Sequence, residues 1–441
     1  MKKIGLIGDG GREHALARKI TESPESELYV AASNQNDGIK RIAKMYHQIP
    51  MTDLAGIVIY FKQNGVELVV IGPESTLAKG IVDQLRAEGI AAVGPTLKQA
   101  ALEGDKSFMR RLLNDKLGWG SPDWKLISTM QEASHFMDKH GEIVVKPVGL
   151  TGGRGVRVMG IQLKDKTEAL HFIEELLQTD KHVLLEEKVI GQEFSRMAFV
   201  CDQEVIPMPV MQDFKYAYDG DKGMMTGGMG VYSFADGKMP FLTRQDIEEA
   251  DKLLNEVIRA LQEETGQPYR GFLYGQFMAS KNGIKLIEFN VRLGDPESIN
   301  VNALLEGDAI ELFGRLANGE LKAGDISFKH KASVVKYLVP DEYPAKLSHE
   351  YHFSLDEKRV EAKGFKLIQA SVERTGEETW KALGSRTIAI LGLGEQPGTI
   401  AEAMDKAIID LHPSGLRFRK DVGNAGIIEQ KTEMMRRIRG L

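Results

Sequence analysis

The chain has 441 residues, 42% hydrophobic and 27% charged, with a formal net charge of −6 at pH 7, and this length predicts about two to four domains. The negative charge excludes a general attraction to nucleic acid or anionic lipid, and the single cysteine, Cys201, excludes an internal disulfide or a cysteine-cluster metal site. Because no apolar run reaches the roughly 20 residues of a membrane span and no cleavable leader is visible, we expect a cytoplasmic protein, and we expect it to be a monomer.

Residues 1–102 alternate short runs rich in Val and Ile with stretches of helical period. In chain order these segments are KKIGLIG, EHALARKI, ELYVAAS, LAGIVIYFKQN, ELVVIGP and AAVGP. Such alternation is typical of βαβ units. It predicts an N-terminal α/β domain built on a parallel sheet.

A glycine turn, GDGGREHA, follows the first predicted strand and opens a helix. Backbone amides and the helix dipole at such a turn can bind a phosphate. Glu13 replaces the third glycine of a dinucleotide-binding fingerprint, and ELYVAASN lacks the acid that would hold a ribose. Two hypotheses therefore stay open: a phosphate or phosphosugar at Gly10 and Gly11 with Arg12 as its partner, or a tight turn without a ligand.

Between about residues 120 and 325 the predicted strands follow one another more closely, which favours largely antiparallel sheets. They are EIVVKP, GVRVMGI, HVLLEEKV, EFSRMAFV, EVIPMPVM, FLYGQFMAS and IKLIEFNVR, with helices such as DIEEADKLLNEVIRALQEE. A third region begins near residue 326. It contains KASVVKYLV, RTIAILGLG, the helix TIAEAMDKAIIDL and GLRFRKD.

The segment IVVKPVGLTGGRGVRVMG predicts a strand, a glycine-rich loop and a second strand. A P-loop would instead lead into a helix. The glycines of 149–155 would let the loop close over a polyphosphate, with Lys146 and Arg154 supplying positive charge. A hairpin loop that merely tolerates glycine is the alternative. Further along, HVLLEEKVIGQEFS offers acids that could meet adenine and ribose, although surface acids are common: Glu186, Glu187 and Glu193.

The strand in KLIEFNVRLGDPES carries three different polar side chains on one face. Successive side chains of a strand point to opposite sides, so Glu288, Asn290 and Arg292 would lie opposite Ile287, Phe289 and Val291. Asn is depleted from strands, which argues against a merely solvated face. Carboxylate and amide oxygens suit Mg²⁺, and an arginine can bind a carboxylate or phosphate. The face is predicted to hold a metal–nucleotide site.

Together these segments resemble the phosphoribosylamine–glycine ligases (glycinamide ribonucleotide synthetases), a family of the ATP-grasp superfamily. The resemblance rests on GDGGREHAL, IGPESTLAKGIVDQL, LEGDKSFMRRLL, the loop after Lys146, LLEEKVIGQEFS, QDFKYAYDGDKGMMTGGMGVYS and IEFNVRLGDPES. It implies a multidomain fold of α/β and α+β classes with three parts. These are an N-terminal α/β substrate-binding domain (1–102), an ATP-grasp domain (103–325) with a mobile lid over about 120–190, and a small C-terminal α+β domain (326–441).

The resemblance also implies a role for individual residues. ATP would be bound by Lys106, Lys146, Gly152, Gly153 and Gly155, with Glu186, Glu187 and Val189 at adenine and Glu193 at ribose. Mg²⁺ or Mn²⁺ would be bound by Glu288 and Asn290. The substrates would meet Gly10, Gly11, Arg12, Asp213, Lys215, Thr226, Gly227, Gly228, Arg292, Asp295 and Glu297. Catalysis would rest on Arg292, Lys146 and Arg154.

The activity implied is ATP-dependent ligation of glycine to 5-phosphoribosylamine in purine biosynthesis, through glycyl phosphate, with ADP and phosphate released. Another ATP-grasp carboxylate–amine ligase and a non-catalytic nucleotide-binding protein are the alternatives. The chain departs from the family's usual residues at several positions. They are Pro147, Val148, Gly152 and Arg154 in the ATP loop and Phe214, Tyr216, Met224 and Met225 near the substrate cleft.

Overall fold

A five-stranded parallel sheet organises the N-terminal region of the computed structural model, which describes residues 1–149 and 155–441. The strands are β1 (Lys2–Ile7), β2 (Ser26–Ala32), β3 (Met45–Gln48), β4 (Leu68–Ile71) and β5 (Ala91–Val93). The helices are α1 (Gly11–Ile20), α2 (Asp37–Ile42), α3 (Leu54–Gln63), α4 (Glu74–Leu77), α5 (Ile81–Ala87) and α6 (Leu97–Gly104). The strand order β3-β2-β1-β4-β5 confirms the predicted parallel sheet. It places the turns after β1 and β4 side by side, where open α/β sheets bind ligands.

The next region carries the following elements, in chain order. The strands are β6 (Trp124–Ile127), β7 (Ile143–Pro147), β8 (Arg157–Val158), β9 (Val183–Glu187), β10 (Gly191–Cys201), β11 (Glu204–Pro207), β12 (Gln212–Asp213), β13 (Tyr216–Tyr218), β14 (Lys222–Met225), β15 (Gly230–Ser233), β16 (Arg270–Ser280) and β17 (Gly283–Asn290). The helices are α7 (Lys106–Arg111), α8 (Met130–His140), α9 (Lys166–Thr179), α10 (Arg244–Thr265), α11 (Glu297–Leu304) and α12 (Ala309–Asn318), with a π-helical turn at Leu112–Leu117.

Two antiparallel sheets dominate this region, as the sequence predicts. One has the order β6-β9-β7-β8 and packs α8 and α9 over a hydrophobic cluster of its own. The other has the order β11-β10-β16-β17 and is covered by α10. Helix α10 begins where Thr243 and Asp246 form a capping box and ends at Gly266 in the left-handed region. Its buried apolar residues recur three or four positions apart, which is the pattern of one helix face.

A β-bulge interrupts the pairing of β16 with β17. Gln276 pairs with Glu288 and Phe277 pairs with Leu286, so Ile287 has no partner on β16. The bulge shifts the alternation of side chains between the two faces of the strand. Leu286 and Phe289, three residues apart, are therefore both buried in the core, at 0% and 2% exposure. The prediction that Ile287 shares a face with Phe289 is therefore wrong. Ile287 is only partly buried, as Glu288 is, whereas Phe289 is buried.

The C-terminal region completes a sheet that begins earlier in the chain. Its order is β12-β15-β18-β23-β20, with β24 paired to β18. Strand β15, from before residue 234, pairs with β18, from after residue 331, and so joins β12 and β15 to the C-terminal strands. The predicted boundary between residues 325 and 326 stays a prediction. The strands are β18 (Ala332–Pro340), β19 (Tyr351–Ser354), β20 (Lys366–Gln369), β21 (Val372–Arg374), β22 (Thr379–Ala382), β23 (Ile388–Gly394) and β24 (Leu416–Arg417). The helices are α13 (Glu357–Ala362), α14 (Pro397–Leu411) and α15 (Ala425–Arg439), after a 3₁₀ turn at Ala323–Asp325.

The N-terminal and C-terminal sheets meet at the first residue of α1. A Cβ atom on Gly11 would lie 2.1 Å from the hydroxyl oxygen of Tyr337 on β18, but 3.3 Å from the ring carbon Cζ. The same hydroxyl donates to Asp295 Oδ1 at 2.7 Å. Gly11 is thus a glycine because β18 approaches it closely. No helix among the described residues combines the length and apolar character of a membrane span.

We expect Gly11→Ala to lower the free energy of unfolding by about 1–3 kcal/mol, because the added methyl group overlaps the Tyr337 hydroxyl. Removing that hydroxyl should relieve the overlap, so Gly11→Ala/Tyr337→Phe should lose less than the sum of the two single variants. Urea unfolding of all four proteins tests this. Strictly additive losses would contradict the close approach.

Candidate functional site

A cleft of about 480 Å³ lies where these sheets meet, and it gathers most of the residues that the sequence singled out. The predicted residues that line it are Arg12, Lys106, Lys146, Glu193, Asp213, Lys215, Thr226, Gly227, Gly228, Glu288, Asn290, Arg292, Asp295 and Glu297. Predicted residues outside its lining are Gly10, Gly11, Gly155, Glu186, Glu187 and Val189. Gly152, Gly153 and Arg154 lie outside the described residues. Lining residues that the sequence analysis did not assign to the site include Glu74, Glu103, Tyr274 and Arg386.

The end of β17 supplies two oxygen donors to the cleft, Glu288 and Asn290. Burial raises the pKa of Glu288, but the positive charges of Lys215, Lys146 and other nearby cations outweigh it and lower the pKa overall. An ionised carboxylate beside an amide oxygen suits a hard cation such as Mg²⁺, which keeps waters and phosphate oxygens as its other ligands. Within residues 1–149 and 155–441 no group of three or more His, Cys, Asp or Glu side chains could hold a metal. A metal here would therefore take most of its ligands from water or from a bound nucleotide.

Two lysines approach this donor pair from the other antiparallel sheet and from α7. The Lys146 ammonium lies 2.7 Å from Glu186 Oε2 and donates to the carbonyl of Ile287 at 3.2 Å. Lys106 donates to the carbonyl of Gly149 at 2.7 Å. Burial lowers the pKa of both lysines. Because an ammonium has three N–H donors, each lysine keeps capacity for a phosphate oxygen.

The predicted adenine contact of Glu186 finds no support in the side-chain geometry. Its carboxylate is 2% exposed and is bound on one side by Arg110 and on the other by Lys146. Burial opposes ionisation, but these two cations lower the pKa of Glu186 overall. Glu187 instead accepts from the amide of Asp123 at 3.0 Å. Glu186 therefore neutralises buried charge, which its place in the sequence does not reveal.

Lys215 lies among three carboxylates at the floor of the cleft. Its ammonium is 3.6 Å from Glu193, 3.8 Å from Asp213 and 3.8 Å from Glu288. Burial alone would lower the pKa of Lys215, but the three negative charges raise it above its usual value. Lys215 thereby compensates the carboxylates that would face a metal and a substrate.

Arg292, predicted to bind a carboxylate or a phosphate, already binds two carboxylates of the protein. It donates to Glu74 at 3.3 Å and lies 3.1 Å from Glu103. Burial raises the pKa of Glu74, but Arg292 and Arg12 outweigh it and lower the pKa to about 2. Burial raises the pKa of Glu103. A substrate carboxylate would have to share Arg292 with these acids or displace one.

The glycine turn after β1 does not offer a free amide at Gly10. That amide donates to Glu13 Oε2 at 2.7 Å, so a carboxylate already occupies the anion position of this turn. Arg12 points into the cleft instead, donating to Glu13 at 2.7 Å and to the carbonyl of Leu293 at 3.2 Å. Both hypotheses for this turn stay predictions.

The TGGMG loop, residues 226–230, owes at least one glycine to protein packing. A Cβ on Gly228 would lie 2.4 Å from Pro296 Cδ. Arg386, from the C-terminal region, donates to the carbonyl of Gly228 at 3.0 Å and to Asp295 Oδ2 at 2.8 Å. No motif surrounds Arg386, and it is remote in sequence from the other lining residues, so its role was not predictable. The loop and the turn after β17 are held together by one side chain.

The residues that depart from the family pattern are divided between core and surface. Phe214 is buried, with Arg419 4.8 Å and Lys431 4.1 Å from its ring centroid. Met225 lines the cleft, whereas Met224 is 57% exposed.

Comparisons with known proteins agree with this arrangement. Residues 2–103 match the model of the phosphoribosylglycinamide synthetase N domain, and residues 104–298 match that of the phosphoribosylglycinamide synthetase ATP-grasp (A) domain. The phosphoribosylamine–glycine ligase of Thermococcus gammatolerans is 41% identical over 435 residues, 98% of this chain and 97% of its own. The chain belongs to the phosphoribosylglycinamide synthetase family. The Methanopyrus kandleri member is 39% identical over 449 residues and the full length of both chains.

Solved structures agree on the fold. The phosphoribosylamine–glycine ligase of Thermotoga maritima superposes with a TM-score of 0.77 at 24% identity, covering 95% of this chain and 99% of that one. The biotin carboxylase domain of the Hydrogenobacter thermophilus 2-oxoglutarate carboxylase, crystallised with Mg-ADP and bicarbonate, has a TM-score of 0.71 at 16% identity. It covers 99% of this chain and 94% of that one.

We expect Glu74→Gln to destabilise the protein at pH 7 but much less near pH 2. The folded pKa of Glu74 is about 2 and its ordinary value is 4.5. The stability from its ionised form is thus fully present above pH 4.5 and lost as pH falls toward 2. Urea unfolding across this range tests the sign. Glu88→Gln, which removes an exposed carboxylate paired with Lys62, is the control and should change little. A pH-independent difference for Glu74→Gln would contradict the assignment.

Proposed function

We propose that the protein joins glycine to 5-phosphoribosylamine at the expense of ATP, forming glycinamide ribonucleotide, ADP and phosphate through glycyl phosphate. One observation carries the proposal: a single cleft holds the oxygen donors Glu288 and Asn290, the cations Lys106 and Lys146, and the guanidinium of Arg292. The two oxygen donors and the two lysines suit a metal-bound triphosphate, and the Arg292 guanidinium suits a carboxylate. Full-length relatives about 40% identical that carry the ligase name support the same assignment.

In the first step a glycine carboxylate oxygen attacks the γ-phosphorus of ATP, and the bond to ADP breaks. Lys106 and Lys146 offset negative charge on the phosphate oxygens, and Arg292 orients the attacking carboxylate. Mg²⁺ or Mn²⁺ held by Glu288 and Asn290 would supply further charge neutralisation. The catalytic part proposed for Arg154 and the phosphate contacts of Gly152 and Gly153 fall outside the described residues.

In the second step the amine attacks the acyl carbon, the C–N bond forms, and phosphate leaves. The attacking nitrogen must lose a proton, and Glu297 is suited to accept it. Its carboxylate is 2% exposed, accepts from the Tyr274 hydroxyl at 2.9 Å, and forms no ion pair with the described residues. Burial, reinforced by the charge of Asp213, raises the pKa of Glu297 to about 7. Three other charged groups interact electrostatically with the Glu297 carboxylate: Lys215, Arg292 and Arg386.

We expect the rate of ligation to fall as the pH drops below about 7, because Glu297 then holds a proton and cannot accept another. Glu297→Gln should lower kcat and abolish the part of the pH profile that titrates near 7. Steady-state rates from pH 5.5 to 9 test this. An unchanged profile in Glu297→Gln would show that another group accepts the proton.

The ligation itself is tested by measuring phosphate release with glycine and freshly generated phosphoribosylamine, each omitted in turn. Glycine carrying ¹⁸O in its carboxylate should pass one label into the released phosphate. Turnover with a different carboxylate or amine would favour another ATP-grasp ligase, and nucleotide binding without turnover would favour a non-catalytic protein. Absence of label from phosphate would contradict an acyl phosphate.

We expect Glu288→Gln, which removes a charge but keeps the side-chain shape, to lower glycine-dependent kcat by at least about tenfold. Raising the Mg²⁺ concentration should restore part of the loss. Glu249→Gln is the control, because Glu249 lies on α10 near the far end of β17 and outside the cleft lining. Full activity of Glu288→Gln at low Mg²⁺ would exclude Glu288 as a metal ligand.

A further inference from the structure

Arg110 is a fully buried arginine on α7 that does not line the cleft. Its guanidinium is 0% exposed, and all three of its nitrogens donate hydrogen bonds. Nε donates to Glu186 Oε1 at 2.7 Å. Nη1 donates to the carbonyl of Leu286 at 2.9 Å, and Nη2 to the carbonyl of Ile287 at 2.9 Å. One side chain therefore joins β9 of one antiparallel sheet to β17 of the other.

The bulge in β17 makes this connection possible. Ile287 has no partner on β16, so its carbonyl is free to accept from outside the ladder. Two cations use it: Arg110 at 2.9 Å and Lys146 at 3.2 Å. The next residue along the strand is Glu288. The carbonyl that the bulge leaves free for both cations therefore belongs to the residue next to the proposed metal ligand.

Glu186 closes the arrangement. Its Oε1 accepts from Arg110, and its Oε2 lies 2.7 Å from the Lys146 ammonium. Arg110 and Lys146 therefore share two anchors, the Glu186 carboxylate and the Ile287 carbonyl. Both anchors are fixed from the side away from the cleft by Arg110, and only Lys146 lines the cleft.

We propose that Arg110 is a positioning residue for nucleotide binding: by holding Glu186 and the Ile287 carbonyl, it sets the Lys146 ammonium at a fixed place relative to Glu288. The proposal rests on the proposed function only in taking the ligand to be a metal-bound nucleoside polyphosphate. Arg110 touches no ligand itself and acts through Lys146.

A lysine could not do the same. The planar guanidinium presents donors in fixed directions and reaches Glu186, Leu286 and Ile287 at once, whereas an ammonium is a single donor atom on a flexible stem. Without Arg110, Glu186 would keep only Lys146 as a cation among the described residues. Lys146 would then be drawn toward Glu186 and away from a phosphate.

The test is the affinity for Mg-ADP, measured by calorimetry, of wild type, Arg110→Lys, Arg110→Met, Lys146→Met and Arg110→Met/Lys146→Met. We expect Arg110→Met to weaken binding about tenfold, as for other residues that orient a ligand-binding group. Arg110→Lys should also weaken it while keeping the charge and the fold. Because Arg110 acts through Lys146, the double variant should bind no more weakly than Lys146→Met alone.

The control is Arg196→Met. Arg196 is also largely buried and binds Asp251 through two nitrogens at 2.6 and 2.7 Å, but lies outside the cleft lining. The Arg196→Met substitution should lower the melting temperature without changing the affinity for Mg-ADP. Wild-type affinity in both folded Arg110 variants, or effects of Arg110→Met and Lys146→Met that multiply in the double variant, would overturn the proposal. Should Arg110→Met not fold, Arg110→Lys decides the outcome.

This readout is independent of the ligation. If wild type binds Mg-ADP but shows no glycine-dependent turnover, the proposed function fails while the role of Arg110 is still decided by the affinities.

Discussion

The compensation of buried charge by opposite charge is the constraint on which this structure depends. Removing an ion from water costs several kcal/mol unless a partner and hydrogen bonds replace the solvent. In and beside the cleft, Lys215 forms ion pairs with three carboxylates, Arg292 with two carboxylates, and Glu186 with two cations. Each of these sets draws members from more than one sheet or helix. The charges that would later meet substrates therefore also hold the parts of the protein together.

This constraint explains why the cleft is suited to a charged nucleotide. A polyphosphate with its metal ions brings both signs of charge, so it can exchange partners with Lys106, Lys146 and Glu288 without leaving a buried charge alone. Arg292 would exchange partners in the same way: it is paired with the carboxylates of Glu74 and Glu103, and a substrate carboxylate would replace one of them or share the guanidinium. Glu297 is the exception: it forms no ion pair with the described residues, and burial, reinforced by the charge of Asp213, raises its pKa.

The sequence predicted the parallel N-terminal sheet and the antiparallel central sheets, because these depend on local hydrophobic period and strand alternation. The metal–nucleotide face stays a prediction: Glu288, Asn290 and Arg292 line one cleft, but β17 ends at Asn290 and Arg292 lies beyond it. The sequence failed at Ile287, where a bulge breaks the strand alternation. It could not predict Arg110, Glu74, Glu103 or Arg386 as parts of the site, since their importance comes from contacts across long stretches of chain. The assignments of Glu186 to adenine and of Gly10 to a phosphate stay predictions, and the sequence could not show that Glu186 binds Arg110 or that the Gly10 amide donates to Glu13.

The central claim is that a divalent ion and a triphosphate meet at the end of β17, opposite Lys146. Anomalous X-ray diffraction from crystals grown with Mn²⁺ and a non-hydrolysable ATP analogue tests it most directly. The account predicts manganese peaks within about 2.2 Å of oxygens of Glu288 and Asn290, with the phosphates against Lys106 and Lys146. Manganese bound elsewhere, for example at Glu74 and Glu103, with Glu288 still paired to Lys215, would contradict it.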